Sequence, residues 1–101
     1  MSRYRVALSG ERDLTAIIDY LAKEAGRPAV DAALTMFIEA FERLAEAPNI
    51  GVVRDALTGP THRWWYGGRY AIIFEPSPPP ITVLPVLHTS RDLESLLSAQ
   101  P

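Results

Sequence analysis

The sequence predicts an α+β fold in which a helical hairpin packs on a mostly antiparallel four-stranded sheet, in the order β-αα-βββ-α. Three observations carry this reading. Two segments with apolar residues at helical spacing are joined by only a few residues around Gly26 and Pro28, three runs of strand formers follow one another between His62 and Leu87, and a short alternating run precedes them all. Helices joined by a short connection form a pair, and a sheet face gives that pair somewhere to bury its apolar side.

Tyr4, Val6 and Leu8 alternate within Arg3–Leu8, which predicts a first strand, ended by Ser9-Gly10. Glu11 and Asp13 then supply the acidic start that suits the positive end of a helix dipole. Leu14, Ile17, Ile18 and Leu21 recur at i, i+3, i+4, i+7, so a first helix is expected to about Glu24. Gly26 ends it and Pro28 opens the next. In that second helix Ala33, Leu34, Phe37, Ile38, Phe41, Leu44 and Ala45 form an apolar stripe opposite Asp31, Glu39, Glu42 and Glu46, and Pro48 stops it.

Residues 49–61 carry Gly51, Gly59 and Pro60 and are expected to be loop. His62–Tyr66 and Arg69–Glu75 predict two strands joined by a tight Gly67-Gly68 hairpin in which both glycines take positive φ. The stretch Pro76–Pro80 cannot supply ladder donors and reads as a rigid surface connection, with a polyproline ligand as the lesser alternative. Ile81–Leu87 is the last strand, where Pro85 predicts a bulge or an unpaired edge. Leu93, Leu96 and Leu97 predict a short final helix over Asp92–Ser98.

Strict alternation sets Tyr70, Ile72 and Phe74 against Ala71 and Ile73, and Ile81, Val83 and Leu87 against Leu84 and Val86. Both sheet faces are therefore apolar. The helical hairpin covers one, and the other requires the final helix, a second chain or both. Trp64 and Trp65 point to opposite faces, so at most one belongs to the core stripe facing the helices. The other is either buried by the final helix or anchors a partner.

A chain of 101 residues suits one domain spanning 1–101. Its 48% hydrophobic and 22% charged residues are ordinary globular usage and exclude the composition of disorder. Without cysteine there is no disulfide, thiolate ligand or cysteine nucleophile. Two distant histidines give no metal-ligand spacing, and no Ser-His-Asp order, phosphate loop or dinucleotide fingerprint is present, so neither metal nor cofactor is expected. No apolar run approaches the length of a membrane span and none follows Met1–Arg5, which predicts a cytoplasmic protein without a membrane partner.

The net charge of −2 and a pI of about 5.6 argue against coating nucleic acid through phosphate contacts. The charge is unevenly spread. From Glu11 to Glu46 eight acidic residues face four basic ones, whereas residues 51–92 hold Arg54, Arg63, Arg69, Arg91 and both histidines against Asp55, Glu75 and Asp92. An anion-facing surface is thus expected in the second half. Arg54, Arg63 and Arg69 are either one such surface or separately solvated; Arg63 and Arg69 are expected to flank one end of the hairpin, with Arg91 close by. His88, Arg91 and Asp92 suit a functional cluster, with the imidazole as acid or base and Arg91 as an anion contact. The structural alternative has Asp92 in the first turn of the final helix and Arg91 paired with a neighbouring carboxylate.

Three stretches resemble the ParE/RelE superfamily. Asp13-Leu14 with Ile17 and Tyr20 is similar to its D-L-x-x-I-x-x-Y opening of the first helix. Pro48-x-x-Gly51-x-x-Arg54-x-x-Leu57 resembles its P-x-x-G-x-x-R-x-x-L loop, followed at the family spacing by Arg63 and Gly68-Arg69-Tyr70. Val86-Leu87-His88-x-x-Arg91-Asp92 looks like the V-L-H-x-x-R-D that closes most ParE-like sequences. In this order they span nearly the whole chain.

The resemblance implies a RelE/ParE-like fold and a toxin of a type II toxin–antitoxin module, held in a hetero-oligomer by a cognate antitoxin whose C-terminal segment folds along the toxin. RelE-like members are ribosome-dependent ribonucleases that use clustered lysines, arginines and often a tyrosine near the C-terminus. ParE-like members poison DNA gyrase and are not nucleases. This chain has one lysine, Lys23, and no tyrosine after Tyr70, which favours the ParE side: a non-enzyme with DNA gyrase as its target. A metal-independent RelE-like ribonuclease and a detoxified antitoxin-binding module are the alternatives. The residues expected to meet target or antitoxin are Arg54, Arg63, Trp65, Arg69, Tyr70, His88, Arg91 and Asp92. Pro85 stands where the family commonly has a basic or polar residue, which removes a charge from the surface where toxicity would reside.

Overall fold

A computed structural model describes residues 3–89. Tyr4–Val6 (β1) leads almost directly into Leu8–Glu24 (α1), and after a two-residue joint Arg27–Glu46 (α2) packs beside it. Val52–Val53 (β2), Asp55–Thr58 (α3), Arg63–Gly67 (β3), Tyr70–Glu75 (β4) and Ile81–His88 (β5) follow. The strands form one sheet in the order β1-β5-β4-β3-β2. β1 lies parallel to β5, and every other neighbouring pair is antiparallel.

The α+β architecture with a helical hairpin on a mostly antiparallel sheet is as expected, but the sheet has five strands, not four. Val52 and Val53, expected in a loop, pair with Trp64 and Arg63, and α3 adds one further helical turn. Both elements depend on contacts with β3, which local composition does not reveal. Ser9-Gly10 does not break the chain but lies inside α1. A Cβ on buried Gly10 would stand 2.7 Å from the Leu84 carbonyl oxygen and 3.0 Å from Val6 Cγ1, so the bare backbone lets α1 lie directly on β5.

On the helix side Phe37, Ala40, Phe41 and Leu44 of α2 meet Ile72, Phe74, Ile81, Val83 and Val86, with Leu14, Ile17, Trp65 and Tyr70 packed around them. Leu34 and Ile38 of the expected stripe are 43% and 49% exposed, because the buried face of α2 turns toward Ala40. On the second face Trp64, Ala71 and Ile73 are buried together with the partly buried Leu57, Leu84 and Leu87. Trp64 is fully buried there and donates Nε1–H to Thr58 Oγ1 of α3 at 2.7 Å.

β5 departs from strict alternation. Val83 opposes Phe74 and Val86 opposes Ile72, so β5 spends three residue steps where β4 spends two. The bulge expected from Pro85 is present at this point, since proline has no N–H for the ladder. It reverses two face assignments: Val86 lies in the helix-side core, while Leu87 packs on the second face. The hairpin also differs by one residue. Gly67 opposes Tyr70, so the turn is Gly68-Arg69, and only Gly68 has positive φ, +58°, as at the first central position of a II′ turn. The expected final helix over 92–98, with Arg91 and Asp92, lies outside the described residues. No helix among the described residues is long and apolar enough to cross a membrane.

Candidate functional site

A cleft of about 610 Å³ opens between the helical hairpin and the end of the sheet where β5 finishes and β4 begins. Ile17, Tyr20 and Leu21 of α1 form one wall, and Ala29, Ala32, Ala33 and Met36 of α2 the other. The three alanines are the local cause, because small side chains at successive facing positions leave the space unfilled. Arg69, Tyr70 and His88 close the sheet end.

Each of these three is placed by a specific feature. Tyr70, first in β4, is half-buried with its ring 5.1 Å from Phe37 and 5.6 Å from His88, edge-on to the imidazole. His88 stands opposite Tyr70 in the sheet because the bulge has shifted β5 by one residue. Arg69 is the second turn residue. Its carbonyl accepts the backbone N–H of Thr89 at 2.8 Å and the Thr89 hydroxyl at 3.0 Å, while the residue itself stays exposed. Among the described residues Arg69 is the one formally charged residue lining an otherwise apolar and aromatic cleft, which suits an apolar ligand segment carrying negative charge at the Arg69 end.

Among the described residues, Arg54 and Arg63 do not join this site. Arg63 pairs with Phe74 at the far end of the β3–β4 hairpin from Arg69, roughly 13 Å along the strand. The expectation that both flank one hairpin end is therefore corrected. Arg63 Nη2 donates to the carbonyls of Asn49 and Gly51 at 2.9 and 3.0 Å, fastening the loop that follows α2. Arg54 lies on the second face, its guanidinium carbon 5.6 Å from the Trp64 ring and 5.4 Å from Tyr66, a cation–π arrangement. The shared Arg54–Arg63–Arg69 surface is thus not formed. Trp65 faces the helices and lies over Gly67, packed against the core away from the cleft.

The structure therefore brings Arg69, Tyr70 and His88 together, separates Arg54, Arg63 and Trp65 from them, and does not describe Arg91 or Asp92. The helical wall was missed as site lining. Its signal was present in Ile17 and Tyr20, which share a helix face at i, i+3, and in the clustered alanines. Among the described residues no group of three or more histidines and carboxylates could hold a metal ion.

No curated protein matches the chain. A solved structure of the chromosomal ParDE TA system from P. aeruginosa is similar, with a TM-score of 0.68 at 20% identity over 86% of this chain and 98% of that one; at that identity the likeness speaks for the fold. The family described as the ParE toxin of the type II toxin–antitoxin system parDE matches residues 4–93. That match takes in every helix and strand of the described residues and the three residues closing the cleft, and the chain belongs to the ParE toxin family.

Proposed function

We propose that the protein is a cytoplasmic toxin neutralised in a hetero-oligomer by a cognate antitoxin, and that it poisons DNA gyrase without itself cutting nucleic acid. The observation that carries the toxin reading is the family match over residues 4–93. The choice of gyrase is supported by how the cations are used. Arg54 stacks on Trp64 and Tyr66, Arg63 holds two loop carbonyls, and Arg3 and Arg27 pair with Glu46 and Asp31. Ribonuclease chemistry without metal needs several acids, bases and cations around one phosphate.

One observation favours the ribonuclease alternative: Arg69, Tyr70 and His88 supply a cation and two proton-transfer groups at one cleft. Tyr70 is, however, wedged between Phe37 and His88, as a packing residue would be. The two readings separate in a direct comparison. Purified toxin is expected to inhibit gyrase supercoiling or trap cleaved DNA while leaving message intact in a translating extract. Codon-specific cleavage with supercoiling unaffected would assign the protein to the RelE-like activity. Loss of both activities with antitoxin binding intact would identify a detoxified module.

A further inference from the structure

We propose that Asp13 is a positioning residue whose carboxylate locks the β5 bulge and thereby decides which face of the sheet His88 occupies. β5 reaches the cleft with one residue more than β4 has partners for. Were it paired in strict alternation from Val83, Pro85 would oppose Ile72 and Leu87 would oppose Tyr70. Val86 and His88 would then turn to the second face. With the bulge, Val86 is buried under the helices and His88 stands against Tyr70 at the cleft.

Two contacts from α1 select the bulged register. Gly10 lets the helix approach the Val83 and Leu84 carbonyls. One turn later Asp13 Oδ2 accepts the backbone N–H of Val86 at 2.9 Å, a partly buried bond across the sheet edge beyond the end of β1. A carboxylate makes a backbone bond of this kind stronger than a neutral acceptor does. The alternative register would bring Pro85 to the same place. Having no N–H, it would leave the carboxylate partly buried without its donor. Asp13 and Pro85 thus discriminate together: one rewards the bulge and the other makes the regular pairing costly.

The proposal takes the cleft as the site and so rests on the toxin reading for its meaning, but its test needs neither antitoxin nor gyrase. In isotope-labelled toxin, the Val86 amide should be protected from exchange and the Tyr70 and His88 rings should show mutual cross-relaxation. Asp13→Ala should speed Val86 exchange roughly tenfold or more and weaken the ring contact, whereas Asp13→Asn, which retains an acceptor oxygen, should preserve both. Deleting Pro85 leaves Leu84, Val86, Leu87 and His88 opposite Ile73, Ile72, Ala71 and Tyr70 in unbroken register. The deletion combined with Asp13→Ala should therefore recover the ring contact that Asp13→Ala alone loses. An intact contact in Asp13→Ala, failure of the deletion to restore it, or Asp13→Asn behaving like Asp13→Ala would overturn the proposal. If Asp13→Ala does not fold, a folded double variant with the ring contact supports it, and an unfolded double variant reduces Asp13 to a general stabiliser and overturns it.

Discussion

Replacing Gly10 with alanine should destabilise the protein, although the same change in an exposed helix stabilises by about 1 kcal/mol. The new Cβ would lie 2.7 Å from the Leu84 carbonyl oxygen, where ordinary contact begins at 3.4 Å, so α1 must withdraw from β5 by about 0.7 Å. The obstacle is backbone on a paired strand and cannot rotate away. Overpacking of this kind costs about 1–3 kcal/mol, and the 2.9 Å bond from Val86 N–H to Asp13 is stretched by the same movement. Adding about 1 kcal/mol for that weakened bond and subtracting the propensity gain of about 1 kcal/mol leaves a net loss of about 1–3 kcal/mol, or a fall of roughly 4–24 °C in Tm for a domain of this size. Thermal melts of the two proteins followed by circular dichroism measure it directly. An unchanged or higher Tm for Gly10→Ala would show that the close approach of α1 to β5 is not a constraint, and the account of Asp13 built on that approach would weaken with it.

Arg63→Ala should cost about 2–3 kcal/mol in urea unfolding, since it removes a charged donor shared by the Asn49 and Gly51 carbonyls; a loss below about 0.5 kcal/mol would mean that the loop is held by other contacts. Arg69→Ala should change stability by less than about 1 kcal/mol, because the side chain is exposed, yet weaken antitoxin affinity at least roughly tenfold in calorimetric titration. Unaltered affinity would remove Arg69 from the binding surface. Trp64→Phe keeps most of the buried ring but loses the Thr58 bond and weakens the stacking with Arg54, a cost of about 1–2 kcal/mol measurable by the same unfolding experiment. No change in stability would show that α3 is held independently of Trp64.

The helical hairpin and the three long strands were legible because their signals are periodic and local: Leu14, Ile17 and Leu21 on α1, Phe37, Phe41 and Leu44 on α2, and Tyr70, Ile72 and Phe74 on β4. β2 was not, because two valines become a strand only when Arg63 draws their loop against β3. Gly10 has the local signature of a breaker, but the operative fact there is a contact distance, and that distance belongs to the packed molecule. For the site, the juxtaposition of Arg69 with the end of β5 followed from antiparallel pairing. Arg63 is not beside Arg69, although both flank the hairpin in sequence, because it begins β3 at the end remote from the turn. His88 reaches the helix side through a bulge that Pro85 announces, but the effect of that bulge on side-chain direction is visible only in the register of the strand.

The position of β5 has a consequence for the order of synthesis. The last strand of the described chain is the second in the sheet: β1, made well before it, has β5 as its strand partner, and α1 packs on β5. Until residues 81–88 are available, β1 lacks the strand partner it has among the described residues, Asp13 lacks the Val86 amide and the cleft lacks its His88 end. Pairings this distant in sequence must await late loop closure. A nascent chain therefore cannot complete the proposed binding surface until β5 has been made and takes its place between β1 and the β3–β4 hairpin.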